Sequence, residues 1–316
     1  LKKFFSLIYF IQESQYVTAV SRSSLKVDMH IKDCDEIINQ INNGAKEANF
    51  QNLKLTQDQL WKLNEILVGN YTLESLLLKN VNIGDKIGVT LLKTIKNCKQ
   101  IKTLKLDLCE FSSKTFNILL SLIEQQLTYL SLLKCNLKVS YIESLSKALF
   151  NSSLVTLKIN SNNIGNAGAE KIAEALKYNK TLKHLYCAHN NIWDEGAYIL
   201  ARALEINNTL LTLDLSVNNL RDKGKEALVE ACKRNYNLID IKGIYFHSLN
   251  QYIERNKNFV KNAKGEEQYI GSDYINEPMK LDSFQFIVEF NKRPKFDVDY
   301  NLYTGLKTIG DFTGEG

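Results

Sequence analysis

The best metal-like cluster in the chain is the hexapeptide HLYCAH, which places His184, Cys187 and His189 within six residues. Nitrogen and sulfur donors of this kind hold a zinc-like ion only if all of them converge on one point. In an extended segment, side-chain alternation sends His184 to one face and Cys187 to the other, so no metal site is assigned. A second candidate is Asp297, Asp299 and Asn301, spaced as in a calcium loop. Leu302 stands where such a loop needs glycine, and Thr308 where it needs a bidentate acid. No glycine-rich phosphate loop, paired metal-ligand run or nucleophile elbow occurs in the 316 residues. The residues therefore point away from an enzyme and call for no cofactor.

The histidines belong to the middle one of three consecutive 28-residue units, starting at Leu154, Leu182 and Leu210. These units read LVTLKINSNNIGNAG, LKHLYCAHNNIWDEG and LLTLDLSVNNLRDKG, sharing the frame L-x-x-L-x-L-x-x-N-x-L followed by glycine and a helical stretch. This is the leucine-rich repeat pattern. The frame recurs at Leu73, Ile101, Leu127 and, in reduced form, Leu238, with start-to-start spacings of 28, 26, 27, 28, 28 and 28 residues. A further unit is expected at Phe50, with Phe50, Leu53 and Leu55 as its strand, and a degenerate strand and helix are expected at 25–31 and 35–41.

Positions one, four and six of each unit should point into the coil, and positions three, five and seven onto an inner sheet face. Helical spacing of Ala169, Ile172, Ala173 and Leu176, matched by Ala197, Leu200, Ala201 and Leu204, marks a buried helix face in each repeat. The expected fold is thus an α/β solenoid with a parallel inner sheet and outer helices. Asn179, Asn207 and Asn235 follow the helices and are expected to end them in the left-handed conformation. Asn151, Asn179 and Asn207 also match N-x-Ser/Thr, which the repeat turn explains.

Projected on the inner face, Lys79, Lys105, Lys134 and Lys158 bias its first half toward acidic partners. Tyr129, His184 and Tyr186 add amphipathic area of the sort found at interface hot spots, and Asp214 and Asp240 lie toward the other end. Outside the repeats, SFQFIVEFN alternates Phe284, Phe286, Val288 and Phe290 with Gln285, Ile287 and Glu289, an apolar-faced strand that must be covered by something. It must fold back on the solenoid or add to another protein, and it is expected to serve as a docking arm that binds a partner. The organisation read from sequence is an N-terminal helical segment (1–24), a solenoid (25–262) with a closing cap at 238–262, and an extended aromatic tail (263–316). The opening LKKFFSLIYFIQ lacks a clear small-residue cleavage site and is expected as a packed helix rather than a targeting segment.

Net charge is +5, but residues 264–316 hold six Lys/Arg against ten Asp/Glu, which leaves +9 on residues 1–263. With only six Arg in the chain, the lysines read as coding bias, and no nucleic-acid role is assigned. No apolar run reaches the roughly 18 residues that span a bilayer. The six cysteines are scattered singly and read as reduced and structural.

The 28-residue, helix-backed unit resembles the ribonuclease-inhibitor type of leucine-rich repeat over residues 50–262, and the Arg255-Asn256 pair resembles the end of that type's closing repeat. Among families with this repeat, the chain is similar to leucine-rich subunits of ciliary axonemes, including the dynein regulatory complex. That resemblance implies a non-enzymatic scaffold in a multisubunit cytoplasmic or cytoskeletal assembly, with acidic partners such as tubulin or coiled coils. The Ran GTPase-activating protein shares the repeat type and offers the alternative of a small-GTPase regulator. Against it, no Arg occurs between Arg22 and Arg202, and the tail has no dense acidic run. An inhibitor of a basic enzyme suits the basic repeat half poorly.

Overall fold

The computed structural model describes residues 33–51, 53–84 and 86–263. The expected N-terminal segment (1–24), the expected strand at 25–31 and the tail beyond Ala263 lie outside the described residues. In order come α1 (Cys34–Asn42), β1 (Glu47–Asn49), α2 (Gln57–Leu67), β2 (Ser75–Lys79), α3 (Lys86–Asn97), β3 (Thr103–Asp107), α4 (Ser113–Gln125), β4 (Tyr129–Ser131) and α5 (Val139–Leu149). They are followed by β5 (Thr156–Lys158), α6 (Gly165–Tyr178), β6 (His184–Tyr186), α7 (Asp194–Ile206), β7 (Thr212–Asp214), α8 (Asp222–Arg234), β8 (Asp240–Lys242) and α9 (His247–Ala263).

The strands form one sheet in chain order, and every pairing is parallel. One repeat cannot bury its own leucines, so each strand lies against the same frame position of the next. Thr103 pairs with Tyr129, Tyr129 with Thr156, Thr156 with His184, His184 with Thr212 and Thr212 with Asp240. The inward leucines at positions one, four and six join the helix alanines and isoleucines in one continuous core. The solenoid fold expected from the frame is the fold observed.

The first unit departs from the expectation. Glu47 pairs with Ser75 and Ala48 with Leu76, so the repeat starts at Ala45 and its strand precedes Phe50. Phe50 fills position six and is fully buried, while Leu53 and Leu55 pack on the core from the loop. Alanine at positions one and four hides the frame because it carries little of the apolar signal that leucine does. Helix α1 covers 35–41 as expected, capped by Asp33, whose carboxylate accepts from Glu36 N at 2.7 Å.

Leaving each strand, the chain turns a corner at position eight. Asn80, Leu108, Lys134, Ser161, His189 and Val217 occupy it with φ between 54° and 59°. Position nine then ties repeat to repeat. The amide of Asn162 donates to Leu132 O and Ile159 O, and its Oδ1 accepts from Cys135 N at 2.8 Å and Leu137 N at 3.3 Å. Asn190 accepts from Asn162 N, and Asn218 from Asn190 N and Ile192 N. Toward the N-terminus this ladder ends where Cys135 and Cys109 take position nine, in the two repeats of 27 and 26 residues. There the carboxylate of Asp107 takes over, accepting from Ser131 Oγ at 2.6 Å and Leu133 N at 3.0 Å.

The asparagines after the helices do not adopt the left-handed conformation expected of them. Asn179, Asn207 and Asn235 are extended, with φ of −64°, −73° and −88°, and their side chains are buried. Each amide donates to a closing carbonyl of the helix one repeat earlier, as Asn207 does to Leu176 O at 2.7 Å. Each Oδ1 accepts from two N–H groups that open the next strand. An asparagine is needed because a single planar amide must donate backward and accept forward. Burial also makes Asn179 and Asn207 poor sequon acceptors.

At the C-terminal end, Arg255 donates to Cys232 O, Lys233 O and Asn235 O, and Asn256 donates to Asn235 O and Leu238 O. The pair satisfies carbonyls at the end of α8 and at the opening of the next repeat.

Candidate functional site

The in-register sheet turns frame positions three and five into two straight rows on the inner face, with strands about 4.8 Å apart. Because the strands are three to five residues long, few side chains per repeat are available there. In the middle of the face, Lys105, Tyr129, Lys158 and Tyr186 form one contiguous patch. The ammonium of Lys105 lies 5.7 Å from the centre of the Tyr129 ring, that of Lys158 lies 5.7 Å from the same ring, and Lys158 also sits 4.8 Å from the Tyr186 ring. Cation–π attraction holds the lysines over the rings without neutralising them. The result is a set of positive charges spread on aromatic surface and free to meet an acidic group.

Burial raises the phenol pKa of Tyr129, the Lys105 charge opposes that rise, and Asp107 adds to it, so Tyr129 stays a neutral hydrogen-bond donor. His184 sits beside Tyr186 with Nδ1 3.1 Å from Thr212 Oγ1. Burial first, and then the charge of Lys183, hold its imidazole pKa below the ordinary value. Its neutral form therefore dominates at neutral pH.

The remaining residues singled out by sequence are dispersed. Lys79 closes β2 at the far end of the face. Asp214 accepts from Ser216 N at 2.9 Å and is occupied in its own turn, and Asp240 lies 3.9 Å from Lys242. Lys134 is not on the sheet at all. It occupies the position-eight corner and lines a groove of about 430 Å³ along the edge of the sheet with Ser161, Asn163, His189, Asn191, Val217 and Asn219. Two position-five residues, Leu77 and Ser131, are buried and add nothing to the exposed face. Sequence reasoning overlooked the edge groove, although its signal is present as the repeated triplets Ser161-Asn162-Asn163, His189-Asn190-Asn191 and Val217-Asn218-Asn219.

The HLYCAH residues separate as strand alternation requires. His184 is on the sheet, Cys187 is in the core with its thiol pKa raised by burial, and His189 is at the corner. Among the described residues, no three His, Cys, Asp or Glu side chains are placed to share a metal ion. No helix among them is long and apolar enough to cross a membrane. Phe284, Phe286, Val288 and Phe290 lie outside the described residues.

A family model described as "Leucine Rich repeat" matches residues 150–173, 178–201 and 207–229. No curated protein matches the chain. Among solved structures, one titled Leiomodin-1 Actin-Binding Site 2 is similar with a TM-score of 0.44 and 20% identity, covering 47% of this chain and 93% of its own. The tropomodulin C-terminal domain of Caenorhabditis elegans is similar with a TM-score of 0.41 and 15% identity, covering 55% of this chain and 97% of its own. Solenoids of stacked repeats present extended concave surfaces for binding, and the Lys–Tyr patch lies on such a surface.

Proposed function

Taking the chain as a leucine-rich repeat protein, we propose that it is a non-enzymatic scaffold whose inner sheet face binds an acidic segment of a partner protein. The observation that carries this reading is the Lys105–Tyr129–Lys158–Tyr186 patch, in which charge and aromatic area alternate across four repeats. An extended acidic chain crossing these strands would meet ammonium groups from two position-five lysines and ring faces between them. His184, Lys79 and the groove-lining Lys134 are its proposed periphery. Asp214 and Asp240, at the other end, would repel an acidic segment and so set its direction.

A multisubunit cytoplasmic or cytoskeletal assembly is the proposed setting. The resemblance to axonemal leucine-rich subunits supports it, and so do six buried cysteines packed as small apolar groups, which suits a reducing compartment. Acidic tubulin tails and coiled coils have the partner chemistry required.

The test is binding of a glutamate-rich peptide of the tubulin-tail type to the full chain, measured by fluorescence anisotropy at two salt concentrations. Reversing both charges with Lys105→Glu and Lys158→Glu should weaken binding by about tenfold or more, from about 1 kcal/mol for each partly screened contact. Equal binding by the double variant, or affinity indifferent to salt, would sink the reading.

A further inference from the structure

Over most of its area the outer helix layer is charged, but at the edge where helices end and strands begin three adjacent helices are not. Phe150 just after α5, Tyr178 at the end of α6 and Ile206 at the end of α7 occupy corresponding places, 43%, 66% and 54% exposed. The rings of Phe150 and Tyr178 are 5.7 Å apart, so they already form one surface. In the next repeat the corresponding residue is Arg234, neutralised by Glu205 at 2.7 Å. Beyond it, Tyr236 meets Phe259 of α9 edge-on at 5.8 Å. An apolar strip thus runs along this edge from α5 to α7, and the Arg234–Glu205 pair separates it from the Tyr236–Phe259 contact at α9. Single exposed apolar residues are ordinary, whereas aligned ones signal a contact.

Where the chain goes next identifies the occupant. Helix α9 continues past Asn256, which holds carbonyls of the solenoid, carries Phe259 and is described as far as Ala263. Twenty residues separate Ala263 from Phe284, the first of four apolar side chains at alternate positions in SFQFIVEFN. That many residues reach about 65 Å when extended. Crossing from α9 back to α5 requires about 40 Å at about 10 Å per helix. The segment that most needs cover is therefore tethered within reach of an uncovered apolar strip.

We propose that residues 283–291 dock the face formed by Phe284, Phe286, Val288 and Phe290 onto Phe150, Tyr178 and Ile206 of their own solenoid. This departs from the expectation that the tail docks a neighbouring protein, and it leaves the inner sheet free for a partner. The tether raises the local concentration of the segment above that of any competing copy in dilute solution.

Hydrogen exchange of the full chain, read by mass spectrometry at a concentration where light scattering reports a monomer, provides the test. Amides of 283–291 should exchange at least about tenfold more slowly than those of a free peptide of the same sequence. Tyr178→Glu and Ile206→Glu, both at exposed positions, should return them to the free-peptide rate while α6 and α7 stay protected. Tyr198→Glu, on the outer face but off the strip, should leave the protection intact. Free-peptide exchange in the wild-type monomer overturns the proposal. So does protection that survives Tyr178→Glu and Ile206→Glu, or protection that appears only when the chain dimerises, which would make a second copy the occupant. The Lys105→Glu/Lys158→Glu variant should show unchanged protection, so failure here and failure of the inner-face reading are separable.

Discussion

Replacing Asn162 with alanine should uncouple the two halves of the solenoid, and the structure sets the size of the effect. The side chain is 2% exposed, and its Oδ1 serves two main-chain donors, Cys135 N and Leu137 N, while its amide serves Leu132 O and Ile159 O. Alanine leaves both N–H groups buried without this partner, at about 1–3 kcal/mol each, and strips one bond from carbonyls that retain a second lone pair. The expected loss is about 3–5 kcal/mol, a large part of the stability of a domain this size. Because Asn162 is the last ladder asparagine before Cys135, the loss falls on the boundary between the 127 and 154 repeats. Urea unfolding followed by circular dichroism should show a lower midpoint and a split or shallower transition, since nearest-neighbour coupling is what makes stacked repeats unfold together. Asn162→Cys, which reproduces the residue found at Cys135, should recover part of the loss because that thiol donates to Leu106 O. A change below about 1 kcal/mol for alanine, with an unbroken transition, would refute the claim that position nine couples the repeats.

Further expectations follow from single residues. Val217 is a β-branched residue at φ 55° and 53% exposed, so Val217→Asn should raise stability by about 0.5–1 kcal/mol, visible as a higher Tm. Arg255→Lys should cost about 2 kcal/mol and speed amide exchange in α8 and α9, because one ammonium cannot reach three carbonyls and stack 3.9 Å above Tyr236. His184 has its pKa lowered in the fold, so the unfolded chain takes up its proton first as pH falls through about 6.5. Stability should therefore drop between neutral pH and about pH 5, and His184→Gln should flatten that slope in pH-resolved urea titrations.

Much of this was legible in the frame itself. Leu-x-x-Leu-x-Leu with helical spacing behind it admits few arrangements other than stacking, and Tyr129, Lys158 and Tyr186 could be placed on one face because strand alternation is strict. The first repeat was misplaced because Ala45 and Ala48 carry too little apolar signal to mark a strand. Lys134 was misplaced because the repeat starting at Leu127 puts it one step past the strand, at a corner visible only as a positive φ. The helix-ending asparagines were misread because helix-terminal propensity is local, whereas the carbonyls to which their amides donate lie 28 to 31 residues away.

By itself, then, the sequence determined the repeat period and the inward and outward residues of the clear units, because each depends on spacing along the chain. Only the tertiary structure decided which outward residues act together. Lys105, Tyr129, Lys158 and Tyr186 come from four repeats, and Phe150, Tyr178 and Ile206 from the ends of three helices. Their proximity is set by inter-repeat register and by how far each side chain is covered, and neither is encoded within a single repeat.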